Sequence, residues 1–167
     1  MITPAYVRTM AAYNAEMNRR IYASAAGLPD HVRRQDQGAF FGSLHGTLCH
    51  LLWADRMWMS RFAGWERPAV SSKQSPALIA DFAELRIARG EADAGITAWA
   101  EAVSQDWLDA DTVWFSGITQ SEHRAPTAHL VVHLFNHQTH HRGQAHTLLT
   151  RQEIDPGDTD LWLVVPR

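Results

Sequence analysis

Four of the chain's ten histidines fall within one short stretch, His133-Leu-Phe-Asn-His137-Gln-Thr-His140-His141-Arg-Gly-Gln144. His133, His137 and His141 recur at every fourth position. On a helix that spacing stacks the imidazoles along one face, with neighbouring Cβ atoms about 5–6 Å apart. Two imidazoles so placed can chelate one divalent ion. Imidazole is the usual neutral nitrogen ligand of Zn, Ni, Cu and Fe.

A helical pair supplies only two ligands, so a second element must contribute to any tight site. The candidates are His45 and His50 upstream, and His123 and His129 just before the histidine-rich stretch. Spacing leaves these open. It mildly favours His50, which shares a helix side with Gly46, Thr47, Ala54 and Met57 and could border a pocket. At about 100° per residue, His137 projects with Leu130, Gln144 and Leu148, and His133 and His141 flank it. The three are expected to share the buried face, His140 to lie off its centre, and His146 to point into solvent. Burying imidazoles among leucines is costly unless each finds a hydrogen bond or a metal. The competing reading is a polar core layer in which the histidines satisfy one another and no metal binds.

Other chemistries lack their signatures. No Glu-x-x-His pair suggests a carboxylate di-iron bundle. There is no His-Glu-x-x-His helix, no glycine-rich phosphate loop and no Gly-x-Ser-x-Gly elbow. Cys49 is the single cysteine, which excludes an intramolecular disulfide and a cysteine-rich zinc site. A net charge of −3, with no basic run, gives nucleic-acid binding no support. No window is apolar enough for a membrane span and no leader-like stretch opens the chain, so the expected setting is the cytoplasm.

The histidines need a scaffold, and the apolar periodicity supplies one. Tyr6, Met10, Tyr13, Met17 and Ile21 predict a helix over 3–26, ended by Gly27 and Pro29. A polar linker covers 31–38. Leu44, Leu48 and Leu51 predict a second helix over 43–62, closed by Gly64. Asp55 lies on its leucine side, far from His50, and reads as a structural partner for the first helix, which carries Asn14 and Asn18. Ser75-Pro76 reads as the start of a third helix reaching about Trp107, with Gly90 and Gly95 marking a bend. Thr112-Val-Trp-Phe115 is β-like. Pro126 opens a fourth helix running to about Arg151. Trp53, Trp58 and Trp99 are expected in the core or at a pocket mouth. The apolar tail Leu161–Val165 is expected to dock, through Trp162, on the bundle or on a second subunit. The fold class is therefore all-α: a four-helix bundle with a short β-like segment between helices three and four, one domain over 1–167.

Two segments carry a family likeness. Leu44-His-Gly-Thr-Leu-Cys-His50-Leu-Leu-Trp-Ala-Asp-Arg56 and Asn136-His137-Gln-Thr-His-His141-Arg-Gly-Gln144 resemble the DinB family of damage-inducible bacterial proteins. The resemblance extends over nearly the whole chain. It implies a four-helix bundle that binds one divalent metal ion through three histidines, His50 from the second helix and His137 and His141 from the fourth. His133 would line the pocket one turn away. Cys49 stands where similar sequences often carry Asn. The wider superfamily includes metal-dependent enzymes that use low-molecular-weight thiols, such as mycothiol-dependent maleylpyruvate isomerase and bacillithiol transferases, and similar proteins are commonly dimers.

The resulting functional reading is a metal-dependent enzyme, a thiol S-transferase, with Zn or Ni as the ion and a low-molecular-weight thiol as cofactor. Three neutral ligands would leave the ion an open position, where it could lower the pKa of a thiol or water. Metal-dependent hydrolysis is a variant. The alternative is a non-catalytic metal- or ligand-binding stress protein, which the lack of an obvious general base favours. Gln144 and Arg142 could contact an anionic substrate, although Arg142 is expected at the helix edge as a salt-bridge or capping residue. The expected partners are a small-molecule substrate and a second copy of the chain, with no nucleic acid and no membrane.

Overall fold

The computed structural model describes residues 1–117 and 119–165. Helices α1 (Pro4–Ala26), α3 (Leu44–Phe62), α4 (Phe82–Ala102) and α6 (Thr127–Thr150) form the bundle. Short helices α2 (Asp30–Arg34), α5 (Gln105–Asp109) and α7 (Leu161–Val164) punctuate the connections. Strands β1 (Asp111–Ser116) and β2 (Ser121–Pro126) make an antiparallel hairpin that pairs Trp114 with His123. No helix among the described residues is long and apolar enough to cross a membrane.

Polar caps set the helix starts. Thr3, Ser43, Asp81 and Ser104 each accept a hydrogen bond from the backbone N–H three residues on, opening α1, α3, α4 and α5. The third helix therefore differs from the sequence expectation at both ends. Ser75 and Pro76 lie inside a 3-10 turn, Ser72–Ala77, and the bundle helix starts only after Asp81. At the far end Val103 is extended, and Ser104 caps the separate helix α5. Within α4 the helix runs unbroken through Gly90 and Gly95. Gly95 serves a close approach instead: a Cβ there would stand 2.6 Å from the Trp65 ring.

The core has two apolar layers and a polar one between them. Ile21, Leu44, Leu48, Leu52, Leu85 and Leu149 fill one end. Val7, Ala11, Met59, Ile96, Leu134 and Phe135 fill the other. Between them runs a closed circuit through all four helices. Asn18 of α1 donates to Asp93 of α4 at 2.9 Å. Arg89, one turn away, bridges Asp93 and Asp55 of α3, at 2.8 and 2.6 Å. Gln138 of α6 donates to Asp55, and Arg142 of α6 donates to Asn14 of α1. Arg142 also lies 3.4 Å from the Gln138 carbonyl oxygen. Such buried side chains are tolerable because each finds at least one partner, although Arg89 Nε is left without one.

Arg142 is thus a core residue, 4% exposed, and not a helix-edge one. Its nearest partners are neutral, and burial lowers its pKa to about 10, still cationic at neutral pH. Asp55 reaches the first helix, as expected, but only through Arg89–Asp93–Asn18 and Gln138–Arg142–Asn14. Of the tail, Val164 packs on Tyr13 and Met17, whereas Trp162 points outward at 76% exposure.

Candidate metal centre

Helix α6 presents two parallel i, i+4 pairs. Gln138 and Arg142 turn inward to the polar circuit. His137 and His141, each one residue earlier and about 100° round, turn toward α3. The circuit therefore fixes the rotation of α6 about its axis, and through Asp55 it holds α3 as well. The histidines do not share the bundle's inner face, as the periodicity suggested. They stand at its border, where His141 is buried, His137 half-buried and His133 exposed.

Across that border α3 supplies His50. The donor atoms of His50, His137 and His141 all lie within 4.8 Å of one another, an arrangement that could hold a metal ion. The Nε2 atoms of His50 and His137 stand 3.2 Å apart. Two nitrogens bound to a tetrahedral Zn at about 2.0–2.1 Å are separated by about 3.3 Å. The donor set therefore fits a borderline divalent ion in spacing and in type. The Nδ1 of His137 is buried and has no protein partner.

The protein fixes the proton positions of the other two rings. The Ser75 hydroxyl donates to the Ser72 carbonyl at 2.6 Å, so its oxygen is left to accept from Nδ1–H of His50 at 2.8 Å. Nδ1–H of His141 donates to Oε1 of Gln144 at 2.7 Å. Each bond leaves Nε2 with a free lone pair for a ligand. Electrostatics agree. Burial, followed by the His141 ring, lowers the pKa of His50 to about 4. Burial, followed by His141 and His50, lowers that of His137 to about 3. Burial also lowers His141, against its bond to Gln144. All three are neutral at physiological pH, the form that coordinates metal.

Aromatic rings and a close backbone approach complete the enclosure. Phe41 stacks on His50 with centroids 3.8 Å apart and lies 5.3 Å from His141. Trp53 also stacks on His50, at 5.8 Å. Gly46, one turn before His50, lets these walls close: a Cβ there would stand 2.6 Å from the Phe41 carbonyl and 3.3 Å from Pro76. The centre opens into a cavity of about 500 Å³ bordered by Phe40, Lys73 and His140.

The remaining candidates lie elsewhere. His45 bonds the Ile79 carbonyl through Nε2 at 2.9 Å, and Cys49 Sγ approaches the same carbonyl at 3.4 Å. His123 stacks on Trp114 in the hairpin, and His129 is exposed. His133 packs near Trp58, at 5.1 Å between centroids, and next to His137 at 5.9 Å. His146 is half-buried and lines a different cavity, beside Tyr13 and Arg142, so it is not simply solvated. Phe41 and Ser75 are the parts of the centre that sequence reasoning missed. Gln144 was legible as the residue one turn after His141, but its role is to orient an imidazole.

Comparison with known proteins gives the same picture. A crystal structure of a DinB-like protein from Bacillus cereus ATCC 10987 superposes with a TM-score of 0.64 over 85% of this chain and 89% of that one. At 14% identity that likeness shows the fold. No curated protein matches the sequence. The sequence profile of the DinB family matches residues 1–163, and the chain belongs to that family.

Proposed function

We propose that this protein is a metal-dependent enzyme that holds one Zn or Ni ion on His50, His137 and His141 and transfers a low-molecular-weight thiol to an electrophile. The observation that carries the reading is the convergence of three neutral imidazoles from two helices on one cavity, two of them already oriented by Ser75 and Gln144. A bound ion of this kind supplies concentrated positive charge and an open position, which lower the pKa of a thiol or of water.

The chain's own residues do the rest. Ser75 and Gln144 hold the Nδ1 protons of His50 and His141, so both rings keep Nε2 toward the centre. Phe41 and Trp53 cover the His50 ring and limit water on that side. Lys73, at the mouth, favours substrates that carry negative charge. Among the described residues lining this cavity there is no carboxylate. A hydrolase would find no carboxylate base here, only the His140 imidazole at the mouth, whereas a thiol needs only to be ionised and held. That difference favours transfer over hydrolysis. Low-molecular-weight thiols are abundant and reduced in the cytoplasm, which is where this reading puts the protein.

The same lack of a carboxylate is also consistent with a non-catalytic metal- or ligand-holding stress protein, and one experiment separates the two. Metal content per chain is measured by elemental mass spectrometry on untagged wild type and on His137→Ala. Metal-loaded protein is then incubated with bacillithiol, mycothiol or glutathione and a panel of electrophiles. One equivalent of metal, lost in the variant, together with a thiol adduct supports the enzyme. Metal without any adduct supports the carrier. No metal in either protein, even after incubation with Zn and Ni, leaves histidines that merely satisfy one another.

A further inference from the structure

Next to the histidine centre lies a second chamber of about 480 Å³, within the roughly 300–1,000 Å³ range of small-molecule sites. Trp53, Met57 and Val70 give it an apolar floor, and Arg61, Arg67 and Lys73 stand around it. The three cations come from three different segments: α3, the loop after it, and the 3-10 turn. No carboxylate is among its described lining residues, and none of the three cations forms an ion pair within the described residues. In a chain of net charge −3 this is a local reversal of sign.

Of the three cations Arg61 is held by packing, whereas Arg67 and Lys73 are exposed at the rim. Arg61 is half-buried, with its guanidinium carbon 4.3 Å from the Trp58 ring centre and 5.6 Å from that of Trp114. Burial and the neighbouring Arg67 both lower its pKa. Arg67 rests on Gly117: a Cβ there would stand 3.0 Å from its Nη2, so the absent side chain makes room for the guanidinium. Two guanidiniums near each other without a counter-charge can receive an anion, bidentately where its geometry allows. The chamber adjoins the centre directly. Ser72 and Lys73 border both cavities, and Trp53 forms the chamber floor on one side and stacks on His50 on the other.

We propose that this chamber is a binding subsite for an organic polyanion with a flat apolar body, whose negative groups engage Arg61, Arg67 and Lys73 while the body lies on Trp53 and Met57. The proposal deepens the reading of a thiol-transfer enzyme by naming the class of substrate: an amphipathic electrophile or cofactor bearing two or more carboxylates or phosphates. It does not need the metal to be present.

Isothermal titration with naphthalene-1,5-disulfonate tests it, with 2-naphthol and inorganic phosphate as probes of the apolar and anionic halves alone. The expected result is saturable binding of one disulfonate per chain, at least tenfold weaker for either partial probe. The variant Arg67→Glu, at an exposed position outside the histidine cavity, is expected to weaken the disulfonate at least tenfold while circular dichroism and metal content stay unchanged. His137→Ala is expected to retain full binding. Absent or unsaturable binding by wild type, equal binding by Arg67→Glu, or loss of binding in His137→Ala would overturn the subsite. The last outcome would put the ligand on the metal instead. Failure of the metal reading, by contrast, would appear only in the elemental analysis.

Discussion

Ser75 and His50 lie 25 residues apart and meet at 2.8 Å between Oγ and Nδ1. The 3-10 turn thus reaches across to orient a ring on α3. Because the Ser75 hydroxyl is already committed to Ser72, its oxygen is a fixed acceptor, and His50 is held in one tautomer. Ser75→Ala removes that acceptor without changing the fold's apolar layers. Loss of such an outer hydrogen bond typically costs about 10–100-fold in metal affinity. Competition with a chromophoric chelator should show a drop of that size, beside a modest fall in thermal stability from the buried Nδ1–H left without its acceptor. Unchanged affinity would mean that the bond does not prepare the ring for a metal.

The same rings predict an acid response of the metal-free chain. The pKa values of His50 and His137 fall from 6.5 to about 4 and about 3 on folding. Between these values the unfolded chain binds more protons than the folded one. Their contribution to stability is therefore complete above pH 6.5 and is lost as pH falls through about 4 and 3. Urea midpoints of chelator-treated protein should decline across that window. His137→Gln, which cannot take up the proton, should show a shallower decline. Parallel curves for the two proteins would remove the histidines as the cause.

The tail predicts an association state. Leu161, Trp162 and Leu163 are 40%, 76% and 49% exposed on a short helix anchored to α1 by Val164. Exposed apolar side chains in a row often mark a protein contact, and the homodimer expected from the sequence would bury them. Sedimentation velocity should find a dimer for wild type and a monomer for Trp162→Ser. A wild-type monomer at high concentration would leave the tail as a purely intramolecular cover.

The sequence carried the parts of this molecule that are local in the chain. Four amphipathic periods marked the bundle, and the i, i+4 pair His137 and His141 marked its chemistry. Periodicity could not choose between His45 and His50, because both sit on the same helix and the choice depends on what packs against it. The Ile79 carbonyl takes one, and the histidine face of α6 takes the other. Ser75 was misread because Ser-Pro is also a helix start, whereas here Asp81 caps the helix and Ser75 is free to meet His50. Arg142 was misread for a related reason. A charged residue beside a histidine face looks solvent-bound until Asn14, from the far end of the sequence, is seen to accept its hydrogen bond. The β2 partner of the β-like tetrad, rich in polar residues, carried no apolar alternation to reveal it.

The polar circuit predicts that stability and site geometry share one residue. Asp55 is fully buried and takes bonds from Arg89 of α4 and Gln138 of α6. Burial alone pushes its pKa up, against the opposing pull of Arg89. Asp55→Ala leaves the Gln138 amide without its acceptor and Arg89 with Asp93 alone. Removing one partner of a buried pair costs on the order of 3–5 kcal/mol, because the remaining charge stays buried. The urea midpoint should fall accordingly, whereas Arg19→Ala, at an exposed pair with Glu16, should leave it nearly unchanged. If Asp55→Ala proved as mild as Arg19→Ala, the circuit would not be what holds α3 and α6 in register. The convergence of His50 on His137 and His141 would then have to rest on the apolar layers alone.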